Sequence, residues 1–351
     1  MVMIPFSIDD EQQAPPASPC VSVHHPNRFL ALPRSGFHRA VAELHDVIVT
    51  STVRFWSSRG LRYALFPITT NAVSSPMGLG SDSSPVLARV GEVDTFLADS
   101  MQFFLEYSCR FGGPGAYYVM PSFRGEPTDA RHLSQFMHSE VELVGDLADL
   151  IDTAEAYLAE LAAAIVERFS ERQQLFPAGL GHVVELAERR PFTRLTFADA
   201  AELLHDVPSA IRLVADGARS LTPLGERILI ERLGGFVWVT HWDHLAVPFY
   251  QRIHEDAGRL LAANADLIAA SGEVLGAGER HSTGDQVRAA LALHMVEPEP
   301  YDWYASLKDE YPISTAGFGL GVERFLMWVL NHDDIRDLQL VLRDNHVGHV
   351  P

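Results

Sequence analysis

Residues 315–321 of this chain, "TAGFGLG", carry glycine at every second position, 317, 319 and 321, and run without a loop into "VERFLMWVL". A period of two reads as a strand and the apolar run after it as a buried helix, so the segment is a strand turning directly into a helix. Without side chains on one face of that strand, backbone can come close to whatever lies there. Arg324 falls in the first helical turn, where the helix dipole and free N–H groups also favour an anion. As a lone pattern, alternating glycine is explained just as well by tight packing.

Two further segments change that balance. In "PSFRGEPTDARHLSQFMHSEVEL", residues 121–143, a strand carrying Phe123, Arg124 and Glu126 leads through a polar loop to Arg131, His132 and Phe136. A second strand then bears Glu140 and Glu142. Alternation places Arg124 with Glu126 on one face, and Glu140 with Glu142. Surface ion pairs would account for any one of these residues. Phe123, Leu133 and Phe136 alternate with the charges, however, which half-buries the hairpin, and arginine in such a place suits two-pronged binding of phosphate or carboxylate. In "SGEVLGAGERH", residues 271–281, Glu273 and Arg280 lie on another glycine-laced strand.

The remaining chain reads as helices and strands of one α+β unit. Apolar positions recur at helical spacing from Ser35 to Gly60 and again through "GDLADLIDTAEAYLAELAAAIVERF". "LRYALFPITT", "EVDTFLAD", "AYYVMPSF", "SEVELVG" and "FVWVT" read as strands, the first ending at Pro67. Strands arriving close together with helices among them predict an antiparallel or mixed sheet with helices packed on it. Residues 9–27 are polar and proline-rich without a period and read as an exposed arm. The expected organisation is a flexible arm over residues 1–28 and one catalytic domain over 29–351.

Composition excludes several classes. No apolar run reaches membrane-spanning length and the first residues lack the pattern of a secretory signal, so the expectation is a cytoplasmic protein without membrane contact. The only cysteines, Cys20 and Cys109, exclude a cysteine-rich zinc site. The 16 histidines show no HExxH spacing; "HWDH" at 241–244 is their one cluster. Against 27 basic residues stand 46 acidic ones, a formal charge of −19 with no Lys/Arg block, which predicts that tRNA and DNA are repelled.

Together the three charged segments resemble the catalytic core of class II aminoacyl-tRNA synthetases: "SFRGE…RHLSQF" is similar to motif 2, "GFGLGVER" to motif 3, and the helix leading to Pro67 to motif 1. Within the class the chain resembles the aspartyl/asparaginyl subgroup, and in particular the archaeal asparagine synthetase-related proteins. For these, "SSPMGLGSDSS" (74–84), "DSMQFFLE" (99–106), "PFYQR" (248–252) and "GAGERH" look like corresponding segments. The resemblance implies a class II antiparallel sheet flanked by helices. With about thirty irregular residues before motif 1, the expectation is a catalytic domain without the subgroup's N-terminal OB-fold. It also implies a homodimer formed through residues 35–67.

Carried over residue by residue, the resemblance implies an ATP site with Mg²⁺. Arg124 would hold the α-phosphate and the carboxylate under activation, Glu126 the adenine amino group, and Phe136 the base. Arg131 and His132 would reach the outer phosphates, Arg324 the γ-phosphate beside Gly321, and Glu273 the metal. Ser100 and Gln102 would line the amino-acid pocket, Glu140 would pair with the substrate ammonium, Arg280 would receive its distal polar group, and Asp243 would face the site. Two positions depart from the subgroup: Gln135 replaces a glutamate, and Leu105 stands where the aspartate enzymes have a lysine.

The expected reaction is ATP-dependent activation of a carboxylate of aspartate or a related amino acid as an acyl-adenylate. Ammonia or another amine would then capture it without tRNA, as in an asparagine synthetase-like amide ligase. The alternative is transfer of the activated amino acid to tRNA or a carrier protein; a third reading is a non-catalytic paralogue.

Overall fold

The computed structural model describes residues 20–25, 27–75, 83–176, 179–188 and 191–343. Most of the expected arm and much of segment 74–84 therefore lie outside the described residues. An eight-stranded sheet forms the centre: β1 (Arg62–Tyr63), β2 (Gly115–Phe123), β3 (Gln135–Val144), β4 (Thr193–Thr196), β5 (Val237–Thr240), β6 (Asn264–Ala269), β7 (Gly272–Glu279) and β8 (Thr315–Gly321). Their order across it is β1-β2-β3-β8-β7-β6-β5-β4. The six inner strands pair antiparallel, while β1 and β4 pair parallel at the two edges. The longer helices are α1 (Gly36–Ser58), α2 (Gln102–Cys109), α3 (Leu147–Phe169), α4 (Pro223–Leu233), α5 (Gly284–Leu293), α6 (Asp302–Glu310) and α7 (Val322–Leu330). This is the α+β class expected.

Alternation gives the sheet two unlike faces. Tyr117, Val141, Phe318, Ala277 and Ala265 stand in one register row across β2, β3, β8, β7 and β6, and all belong to the main core. The apolar stripes of α1 and α3 cover this face, with Leu44, Ile48, Leu158 and Ile165 fully buried. Ser35 and Asp146 cap the two helices. A polar link crosses the core, the Tyr157 hydroxyl lying 2.6 Å from Thr52 Oγ1 and 2.8 Å from Ser139 Oγ, so no buried hydroxyl is stranded there.

The opposite face is floored by glycine. One row reads Ala116, Glu142, Gly317, Gly278, Asn264, and the next Tyr118, Glu140, Gly319, Gly276, Asp266. The glycines leave room for side chains of neighbouring residues: a Cβ on Gly317 would lie 1.9 Å from Glu142 Oε2 and 2.5 Å from the Val141 carbonyl. At Gly321 the nearest atom would be Arg324 Cβ at 3.6 Å, so space does not require that glycine. Gly317→Ala is expected to cost about 1–3 kcal/mol through forced displacement, read as a lower urea midpoint. An unchanged midpoint would contradict this crowding.

Two local expectations differ from the structure. "LRYALFPITT" is not one strand: only Arg62–Tyr63 joins the large sheet, and Thr69–Thr70 pairs instead with Val93–Leu97 in a separate three-stranded sheet. Pro67, which has no N–H to donate, separates the two pieces. Arg124 and Glu126 lie beyond the end of β2, in the loop, so strand alternation does not govern them. Between α3 and β5 lies a second, smaller core built by helices Phe197–Leu203 and α4 with the hairpin Ile211–Leu213/Arg219–Leu221.

Candidate functional site

The front face carries two chemically distinct ends. At the first, loop and helix bring arginines together. The Arg124 guanidinium lies 5.5 Å from the Phe136 ring centroid, and its buried Nε has no partner among the described residues. Glu126 takes the Ser84 backbone N–H on one oxygen, while its other, buried oxygen has none among the described residues. From the first turn of α7, Arg324 donates to the carbonyls of Glu273 at 2.8 Å and Arg131 at 3.3 Å. Burial pushes Arg324 below its usual range; Glu273 opposes that shift, and Arg124 and Arg131 reinforce it. Arg131 lies 3.9 Å from Glu226, and His132 is exposed and bonded to Asp129 at 3.0 Å. Converging arginines with unused donors form a place for a polyanion.

Beside them sits a carboxylate group. The position of a Cβ on Gly276 would be 3.0 Å from Glu273 Oε1 and 3.9 Å from Asp266 Oδ1. Burial, then Glu273 and Glu226, drive Asp266 well above the carboxylate range. Glu226 on α4 is pushed to about 7 by burial and then by Glu273. Carboxylates that repel one another and supply only hard oxygen ligands fit a hard divalent cation such as Mg²⁺. Sequence reasoning found Glu273 and missed Asp266 and Glu226. Asp266 left one signal, a single acid inside the apolar strand "NADLIA".

At the other end lie Glu140 and Glu142. Glu140 accepts from Ser100 at 2.7 Å, from Tyr118, and from His138 at 2.8 Å. Burial alone would raise its pKa, but His138, Tyr118 and Ser100 hold it below the usual carboxylate value. A buried carboxylate kept ionised in this way suits a cationic group. Gln102 is buried nearby in sequence on α2, and its side-chain nitrogen is unpartnered among the described residues. Arg280 pairs with Glu142 through Nε at 3.2 Å and Nη2 at 3.1 Å, both residues buried, and its Nη1 donates to Gln251 Oε1 at 3.1 Å. Burial drives Glu142 upward and Arg280 holds it down.

Two residues stand apart. Asp243 is occupied by the Arg219 backbone N–H and Nε, both at 2.9 Å, and by Arg259 at 2.8 Å, so it fastens the Arg219 hairpin to a second one, Ile253–Asp256/Arg259–Ala262. Leu105 is fully buried against Ala98, Met101, Ala116 and Tyr118. The buried lysine of this region is Lys308 on α6, which pairs with Glu106.

Burial of three histidines adds an acid-sensitive element. Desolvation lowers His244 to about 3, and His38 and His281 to about 4. Folded values below the unfolded ~6.5 mean that the unfolded chain binds more protons, so stability present above pH ~6.5 is lost as pH falls. Glu142 and Glu226, both raised to about 7, and Asp266 act in the opposite sense over the same range, so the histidines' contribution is partly offset in the whole profile.

The arrangement matches a known family over nearly the whole chain: residues 21–343 fit the tRNA synthetases class II (D, K and N). The chain belongs to that family. This places it among ATP-dependent ligases and confirms the class II core expected from motifs 1 to 3. An asparagine--tRNA ligase of Syntrophobacter fumaroxidans is 27% identical over 328 residues, covering 87% of this chain and 70% of that protein. A probable cytoplasmic asparagine--tRNA ligase of Encephalitozoon cuniculi is 30% identical over 257 residues, covering 71% and 56%. The fold agrees with Pyrococcus horikoshii asparaginyl-tRNA synthetase complexed with asparaginyl-adenylate. There the TM-score is 0.82 at 23% identity, over 92% of this chain and 72% of that one.

These relatives correct two expectations. Amide formation from ammonia without tRNA, and with it the asparagine synthetase-like assignment, gives way to a family whose matching members are tRNA ligases. The expectation that tRNA plays no part falls as well. It rested on net charge, which is a sum over the whole surface, whereas charges are screened beyond about 8–10 Å and recognition depends on the local patch. Among the described residues no helix is long and apolar enough to cross a membrane.

Proposed function

We propose that this class II synthetase core activates an amino acid with ATP as an aminoacyl-adenylate, releasing pyrophosphate, and transfers the acyl group to a hydroxyl of tRNA, releasing AMP. The observation that carries the reading is the glycine-floored face itself, with arginines at one end and the buried pair of carboxylates at the other. Glu140, with Ser100 and Gln102, receives the substrate ammonium end, and Arg280 faces the side chain. Arg124, standing at the end of β2 against Phe136, receives the α-phosphate and the attacking carboxylate, so that two anions meet beside a fixed positive charge. Phe136 stacks on adenine and Glu126 meets its amino group. Arg131, His132 and Arg324 take the outer phosphates. Glu273, Asp266 and Glu226 would hold Mg²⁺, which supplies charge neutralisation on the phosphates.

Positioning and electrostatics suffice for this chemistry, and no protein nucleophile is needed. Asparagine, named in the relatives, is the first amino acid to test. Segment 35–67 is proposed as a two-fold interface, on which Val49 and Val53 of α1 are exposed. Amino-acid-dependent ATP–pyrophosphate exchange, followed by charging of total tRNA, tests the proposal. Exchange with asparagine and charged tRNA support it; no exchange across a panel of amino acids overturns it.

A further inference from the structure

Beneath Arg280 the backbone is shaped around a single glutamine. Gln251 and Arg280 form an antiparallel bridge, and Gln251 is buried. Its backbone is held from both sides: its N–H donates to the Pro248 carbonyl at 3.2 Å, and His244 Nε2 lies 3.0 Å from its carbonyl. That second bond fixes His244 as the Nε2–H tautomer, which leaves Nδ1 to accept from His294 Nε2 at 2.8 Å. The side chain then extends into space that exists only because residue 278 is glycine. A Cβ there would lie 1.8 Å from Gln251 Oε1 and 2.6 Å from its Cδ.

The orientation of the amide follows from its partner. Arginine has only donors, so the oxygen must face Nη1, and the Nε2 of Gln251 remains a donor without a partner among the described residues. Arg280 spends Nε and one Nη2 hydrogen on Glu142, and one Nη1 hydrogen on Gln251. Of its five N–H groups two are left, beside the Gln251 amide. The pocket end is therefore rich in donors, yet its one positive charge is already matched by buried Glu142. A second carboxylate placed there would gain Arg280 but also meet Glu142 in a desolvated site, where like charges are costly. A neutral carbonyl oxygen meets the same donors without that repulsion.

We infer that Gln251, seated in the gap left by Gly278, is a specificity-determining residue. It completes a neutral donor cradle with Arg280 and commits the pocket to an amino acid with a short, uncharged, carbonyl-bearing side chain. This rests on the aminoacyl-adenylate reading above. It adds to it the residue that reads the substrate side chain and the charge class that residue admits.

The test is ATP–pyrophosphate exchange with asparagine and with aspartate, equal in size and different in charge, for wild type, Gln251→Met, Gln251→Ala and Gly278→Ala. Gln251→Met keeps the volume and removes the amide, which guards against a packing defect. The expected result is a rise of roughly tenfold in KM for asparagine with kcat within about threefold, as for one hydrogen bond to a charged cluster. The asparagine-over-aspartate ratio should fall by about the same factor. Gly278→Ala should reproduce that KM rise by expelling Gln251, and Gly278→Ala combined with Gln251→Met should be no worse than either alone. An unchanged KM and ratio in Gln251→Met, in an enzyme whose wild type exchanges with asparagine, overturns this inference. Wild type that prefers aspartate overturns it too. Wild type that exchanges with no amino acid overturns the adenylate reading instead.

Discussion

Arg324→Ala is expected to lower amino-acid-dependent ATP–pyrophosphate exchange by about 10²–10³-fold, the scale seen when one preorganised donor to developing charge is removed. The guanidinium is held by two backbone carbonyls, those of Glu273 and Arg131, and therefore waits in position. Because those bonds also tie α7 to β7 and to the motif 2 loop, the variant's urea midpoint must be measured beside its rate. A large loss of exchange with a midpoint near wild type supports a role toward the phosphates. Arg324→Lys should recover little, since a single ammonium cannot span both carbonyls and still present a flat fork to the ligand. Exchange within threefold of wild type in Arg324→Ala would remove Arg324 from the site.

The largest effect on stability is expected at Lys308. Its ammonium is fully buried, paired with Glu106 and donating to the His281 carbonyl at 2.7 Å, while the second oxygen of Glu106 accepts from Tyr304 at 2.7 Å. Burial lowers the lysine pKa and Glu106 holds it up. Lys308→Met would leave a buried carboxylate without its counter-ion, at a cost of about 3–5 kcal/mol. Converting both partners, Lys308→Met with Glu106→Leu, removes the stranded charge and should recover much of that loss. Urea unfolding of the three proteins measures the difference. A double variant no more stable than Lys308→Met would show that the pair contributes geometry that apolar packing cannot replace. His281 follows Arg280 directly, so the Lys308 bond also steadies the backbone beneath the pocket.

The parts of this fold legible in the sequence are those where one physical preference acts alone. α1 and α3 are long enough for the 3.6-residue stripe to be unambiguous, and both begin at their capping residues, Ser35 and Asp146. β3 alternates core Val141 with Glu140 and Glu142, whereas β2 is buried on both faces and reads as a strand from its run of β-branched and aromatic residues. Legibility ends where a contact across the sheet decides. Nothing in "TAGFGLG" says that Gly317 makes room for Glu142, because the partner strand lies far back in the chain. Asp266 is a lone acid in a buried strand until β7 folds against it and brings Glu273. Arg124 and Glu126 were read by alternation, but the strand stops at Phe123 and a loop sets their directions. Asp243, read as facing the site, is taken up by Arg219 and Arg259 from two short hairpins without strong periodicity of their own. The tRNA expectation failed for a different reason: a formal charge has no position.

The order of the strands has a bearing on how the molecule is made. β8 is the last strand of the large sheet in the chain, yet it lies between β3 and β7 at the centre. During synthesis β3 is complete long before β8 emerges, and β7 also precedes it, each with one edge unpaired. Open edges invite pairing with other chains, and inward-pointing charge is one defence against that. Glu140 and Glu142 on the waiting edge of β3 provide it, since another strand could cover them only at the cost of burying two carboxylates. The side chains read above as the substrate pocket would then also guard the nascent sheet until its own glycine strand arrives. Because the contact between β3 and β8 spans so much of the chain, sheet completion should be slow.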